Sequence, residues 1–161
     1  MSVEADSARE LTAFVLDEYI RERVTTLRVL RAIPVGRESY APDDRSMSAL
    51  KLARHIAHSE LFFLQGAAAG SLPKFESPEH DLAELCARYE AAFAEPLDRV
   101  RTLSGDELLR TVKLGPRELT VFELLHFMLK HSIHHRGQLS AYLRPMGASV
   151  PSIYGPSGDT K

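Results

Sequence analysis

Apolar residues recur at three- and four-residue spacing through most of this chain, and nowhere do they alternate one in two over the length of a strand. From Ala8 to Ala32, Leu16, Ile20, Val24, Leu27 and Leu30 form one stripe, with Glu and Arg filling the gaps. A second helix opens at Ser46 or Ser48, each a suitable N-cap, and runs to about Ala69, where Gly70 stops it. Its stripe is Leu50, Ala53, Ala57, Leu61 and Leu64. Ser77-Pro78 reads as a capping hydroxyl followed by proline at the first helical position. It predicts a third helix from Pro78 to about Leu103, kinked or divided at Pro96. "SGDELLRTVKLGPRE" supplies a short helical turn and then an extended crossover. Thr120 and Glu123 make a capping box for the last helix, which runs to about Arg144 before Pro145 and Gly147 end it. The connections "IPVGRESYAPDD" and "SLPKFE" and the tail "ASVPSIYGPSGDTK" are rich in turn residues. The expected fold is all-α: a single domain over residues 1–161, a four-helix bundle with a long crossover connection before the last helix.

Several functional classes fall away on composition. A chain of 161 residues can bury a core without disulfides, and the single cysteine, Cys86, excludes an internal disulfide and any cysteine-cluster metal site. A formal charge of -2, with basic residues scattered, argues against a nucleic-acid or membrane-surface role. The longest apolar stretch, "LFFLQGAAAG", is too short to span a bilayer. The polar, acidic opening "SVEADSARE" is unlike a signal peptide, so a cytoplasmic location is expected.

Chemistry is concentrated in "KHSIHHRGQ", which holds three of the seven histidines in five positions. His131 and His135 are four apart, stand one above the other on a helix, and can address one ion. Imidazole suits zinc, nickel, copper or ferrous iron, and three such ligands leave a coordination position open. The third ligand should come from a facing helix, and "RHIAHSE" offers His55 and His58. His55, with Leu52 before it and Ser59 after it, sits where a bundle-core ligand would. His134 reads as a neighbour of the site or a solvent-facing residue, and His80 and His126 as structural or surface residues. Gly137 interrupts the helix at a cost of about 1 kcal/mol relative to alanine, which close approach of a helix or ligand would offset; a local kink is the alternative. Gln138 shares the stripe of His131 and His135 and could orient a ligand or bond across to a neighbouring helix. Arg136 projects elsewhere, as an ion-pair partner. Ser132 occupies the position where zinc proteases carry glutamate, and the one Glu-x-x-His element, Glu123 to His126, falls short of a di-iron pattern.

Three stretches, "RSMSALKLARHIAHSE", "LGPRELTVFELLHFMLKHSIHHRGQLSAYLR" and "MGASVPSIYGPSGD", resemble the DinB (DNA-damage-inducible, YfiT-like) family of metal-binding four-helix bundles, which is unrelated to the polymerase of the same name. The resemblance spans nearly the whole chain. It implies a mononuclear site made by His55, His131 and His135, holding a divalent ion, zinc or nickel, and it leans toward a homodimer. Better-understood relatives transfer low-molecular-weight thiols or isomerise small acids with a thiol cofactor. The leading expectation is therefore a metal-dependent thiol S-transferase of detoxification or stress response, acting on a small-molecule substrate. In it Gln138 would position the thiol or a metal-bound water. A non-catalytic metal-binding stress protein and a metal hydrolase are the alternatives.

Overall fold

The computed structural model describes residues 4–160. Six helices and one hairpin follow in the order α1 (Ala5–Arg31), α2 (Ala49–Ala69), α3 (Leu82–Ala91), α4 (Ala94–Arg101), α5 (Gly105–Leu108), β1 (Thr111–Leu114), β2 (Arg117–Thr120) and α6 (Val121–Leu143). The bundle is formed by α1, α2, the broken pair α3 and α4, and α6. Tyr19, Leu30, Ile56, Leu64, Leu85 and Leu125 are among the fully buried side chains between them. Along the interface of α2 with α6, Phe63 meets Phe127, Glu60 meets Ser132 and His55 meets His135, so these two helices run antiparallel.

The helix ends have identifiable causes. Ser48 accepts from the Lys51 backbone at the start of α2, and Gly70 closes that helix with φ at 71°, a left-handed conformation suited to glycine. Thr120 and Glu123 form a reciprocal capping box at the start of α6. The stripe expected on the first helix is imperfect: Leu16 and Leu30 are buried, but Val24 is 62% exposed.

The third helix departs from expectation at both ends. Residues 71–81 have no helix, because the Ser77 hydroxyl is engaged with His58 Nδ1 at 3.0 Å and Asp81 caps α3 instead, accepting from the Glu84 backbone. The break falls at Ala92 and Phe93. Pro96 has no N–H to give to the Ala92 carbonyl, so the helical ladder stops there and restarts as α4, with Pro96 in its first turn, where a missing donor is harmless.

The crossover contains strands that hydrophobic alternation did not predict. β1 and β2 pair antiparallel, Leu114 opposite Arg117, around the two-residue turn Gly115-Pro116. Gly115 takes φ at 58°, as the first position of such a hairpin turn requires. Among the strand residues only Val112 is fully buried, which leaves too short a pattern to read from sequence.

Two buried polar contacts fasten the bundle. Arg136, 1% exposed, forms an ion pair with Glu22 of α1, and its second terminal nitrogen donates to the Tyr154 hydroxyl in the tail at 2.6 Å. Glu60 of α2 accepts from Tyr19 at 2.8 Å and from Tyr89 at 2.7 Å on one oxygen, and from Ser132 on the other. Removing one member of a buried ion pair strands the other charge. Glu22→Ala should therefore lower the unfolding free energy by about 3–5 kcal/mol in urea titration, and the apolar double variant Glu22→Leu with Arg136→Met should cost much less.

Candidate metal centre

The helical repeat of α6 sorts "HSIHHR" into two adjacent faces. His131 and His135 lie one turn apart on one face; Ser132 and Arg136 lie one turn apart on the next. The second face is buried and held by Glu60 and Glu22, so α6 is locked in rotation with its histidines turned toward the partly exposed seam with α2. There His55 enters. Its Nε2 stands 3.3 Å from Nε2 of His131 and 3.2 Å from Nε2 of His135, and one ring nitrogen from each of the three falls within 4.8 Å of the others. Imidazole nitrogens bound about 2.0–2.1 Å from a tetrahedral zinc ion stand about 3.3–3.4 Å apart, so the observed separations fit such an ion.

Two ring contacts and one backbone contact surround the three histidines. The Gln138 carbonyl oxygen accepts from His135 Nδ1 at 2.7 Å, which puts the proton on Nδ1 and leaves a lone pair on Nε2. His131 packs against the rings of Phe63 and Phe127, with centroids 5.6 and 5.9 Å away. Its Nδ1 is buried without a partner, so packing alone orients this ring. The Ser59 hydroxyl donates to the His55 carbonyl from within α2.

Burial and mutual repulsion keep the cluster neutral. Desolvation, followed by the charges of His135, His55 and His134, drives the His131 pKa down to about 4. Desolvation and then His135 lower that of His55. Desolvation also lowers that of His135, against the opposing bond from Gln138. Neutral imidazoles present lone pairs, the state a metal requires.

The structure thus brings together His55, His131 and His135, with Gln138 behind His135. His134 is exposed, its ring 4.9 Å from that of His135. His58 lies on the adjoining face of α2, its ring 5.8 Å from that of His80, and His80 bonds Glu84. His126 stacks on Phe122. A Cβ built on Gly137 would meet no protein atom within 4 Å, so close approach of a neighbouring helix does not explain that glycine. Sequence reasoning overlooked Glu60. It stands five residues after His55 in "HIAHSE" and looks like an ordinary solvent-facing acid until α1, α3 and α6 close over it.

A proton competes with a metal for an imidazole only below that imidazole's own pKa. With all three values depressed, uptake of one divalent ion per chain should stay level from about pH 8 to about 6.5 and fall as pH drops from there toward 4. Equilibrium dialysis of untagged protein with metal analysis measures this. His131→Ala and His135→Ala should abolish tight uptake, Gln138→Ala should weaken it about 10–100-fold, and His80→Ala should leave it unchanged. Full affinity in His55→Ala would remove His55 from the site.

Comparison with known proteins agrees with this architecture. Residues 1–160 match the DinB family. The uncharacterized protein YjoA of Bacillus subtilis is 29% identical over 144 residues, 87% of this chain and 94% of that protein. A shorter segment, 34 residues and 21% of the chain, is 50% identical to the uncharacterized protein YrdA of the same organism, covering 20% of it. The crystal structure of YjoA, a DinB-like protein, superposes with a TM-score of 0.73 at 28% identity, covering 88% of this chain and 96% of that one. A DinB-like protein from Bacillus cereus ATCC 10987 superposes with a TM-score of 0.75 at 16% identity, over 96% and 100% of the two chains, a likeness of fold alone. Its sequence matching nearly end to end and its bundle superposing on solved relatives, the chain belongs to the DinB family.

Proposed function

We infer that the protein is a metal-dependent enzyme that joins a low-molecular-weight thiol to a small electrophile. The observation that carries this reading is a cluster of three neutral imidazoles and no other ligand among the described residues, which leaves one position of a tetrahedral ion free. His55, His131 and His135 would hold the ion, zinc or nickel being the candidates that imidazole and the family resemblance favour. A divalent ion there supplies Lewis acidity, which lowers the pKa of a thiol brought to the free position.

The remaining work belongs to the chain and its substrates. Gln138 keeps the His135 lone pair aimed at the centre, and its amide nitrogen is left to position the thiol. Phe63 and Phe127 make a dry wall beside His131. In the reaction the thiol sulfur bonds to an electrophilic carbon, the leaving group departs with its electron pair, and the thiol proton passes to solvent. The sulfur must come from a cosubstrate, since Cys86, the one cysteine, is buried on α3 and burial pushes its thiol pKa up. For the hydrolase alternative, the carboxylate nearest His55 along the chain is not free to act as a base. That carboxylate, Glu60, is fully buried and already accepts from three hydroxyls.

Metal-loaded protein incubated with bacillithiol, mycothiol, glutathione or cysteine and a haloaromatic should form conjugate, and chelation or His131→Ala should stop it. If no thiol reacts faster than in the metal-free control, the non-catalytic metal-binding reading replaces this one.

The same reading includes a homodimer. Its candidate surface is the outer side of α1, where Leu11 and Phe14 are 43% and 64% exposed. Sedimentation at micromolar concentration should show a species of twice 18.0 kDa, and Phe14→Glu should shift it to monomer. A wild-type chain sedimenting only as monomer overturns the dimer.

A further inference from the structure

A cavity separate from the histidine cluster opens between α2, α3 and the segment of residues 71–81 that crosses α2. Its volume is about 450 Å³, within the about 300–1,000 Å³ usual for small-molecule sites. The crossing segment is pinned at two points: Arg54 Nε donates to the His80 carbonyl at 2.7 Å, and the Ser77 hydroxyl bonds His58 Nδ1. The cavity is therefore built before any ligand arrives.

Its lining is divided by chemistry. Ala57, Leu85, Tyr89 and Phe93, all buried, form an apolar floor, and Leu61 and Phe62 continue it outward. The exposed rim carries the cations Lys74 and Arg88 and the acid Glu76. Arg88 bonds Glu84 through Nε, which leaves both terminal nitrogens available to another acceptor. His58 Nδ1 shares a hydrogen bond with the Ser77 hydroxyl, and in the tautomer that accepts there the ring proton sits on Nε2, where a ligand can receive it.

We propose that this cavity binds a small amphipathic carboxylate, its aromatic or aliphatic body on the Leu85 and Phe93 floor and its carboxylate held by Arg88, Lys74 and His58. None of these residues belongs to the histidine cluster, so the site stands independently of the thiol-transfer reading.

Calorimetry with phenylbutyrate tests it, against phenylbutanol and phenylbutylamine, which share the body but lack the anion. Phenylbutyrate should bind saturably at one site per chain, and the alcohol and amine at least about tenfold more weakly, the loss expected when charge-assisted hydrogen bonds disappear. Arg88→Gln, at an exposed position, should weaken binding about tenfold by the same reasoning. Ala92→Trp, also exposed, should abolish binding by filling the cavity. A carboxylate can also ligate a metal, so metal-free protein and His131→Ala must bind phenylbutyrate as the wild type does. Loss of binding in His131→Ala would place the carboxylate at the histidines and overturn the proposal. So would equal affinity for the alcohol, indifference to both cavity variants, or the absence of saturable binding.

Discussion

The architecture turns on the carboxylate of Glu60. It projects from α2 into the middle of the bundle with no solvent exposure, and its hydrogen bonds come from α1 through Tyr19, α3 through Tyr89 and α6 through Ser132. Burial raises its pKa, and the three hydroxyls oppose that rise. A carboxylate so placed tolerates only the arrangement in which all three donors reach it, because an unmade bond there costs about 1–3 kcal/mol. The contact therefore fixes how α2 and α6 slide and rotate against each other. His55 lies five residues before Glu60, and His131 directly precedes Ser132, so the alignment that satisfies the acid also brings the imidazoles together.

Much of this was legible in the sequence. The limits of α2 and α6 follow from apolar period, serine and threonine caps and Gly70, while α1, whose start has no side-chain cap and lies three residues before the expected Ala8, was legible from its apolar period alone. The histidine pair was legible because it is helical spacing, and His55 because its neighbours mark a buried position. What escaped was decided by contacts distant along the chain. Ser77-Pro78 is a sound helix opening on local chemistry, and it yields to a bond with His58 nineteen residues earlier. The hairpin strands have four residues each, too few to establish an alternation. Glu60 and Glu22 look like surface charges in one dimension, and although Arg136 was legible as an ion-pair partner, nothing near it in sequence shows that the partner is Glu22.

Ser132 illustrates how architecture limits chemistry. A glutamate directly after the first histidine is what a zinc-protease helix uses as its base. In this bundle that position points at Glu60 in the core, and a glutamate there would set two carboxylates against each other away from water. The residue is committed to packing and is not available as a base of that kind. Gln138, one turn beyond His135 and exposed, is free of that commitment.

The three histidines are also unequal in the order in which folding can assemble them. His131 and His135 become neighbours as soon as one turn of α6 forms, an event on the order of microseconds or less in an isolated helix. His55 lies 76 and 80 residues from them, and its approach needs closure of a loop containing α3, α4, α5 and the hairpin. A nascent chain that meets a metal ion can offer it two imidazoles early and the third only when the α2–α6 interface closes. Occupancy by all three then draws the folding equilibrium toward the completed bundle, since an ion that prefers the native triad stabilises whatever contains it.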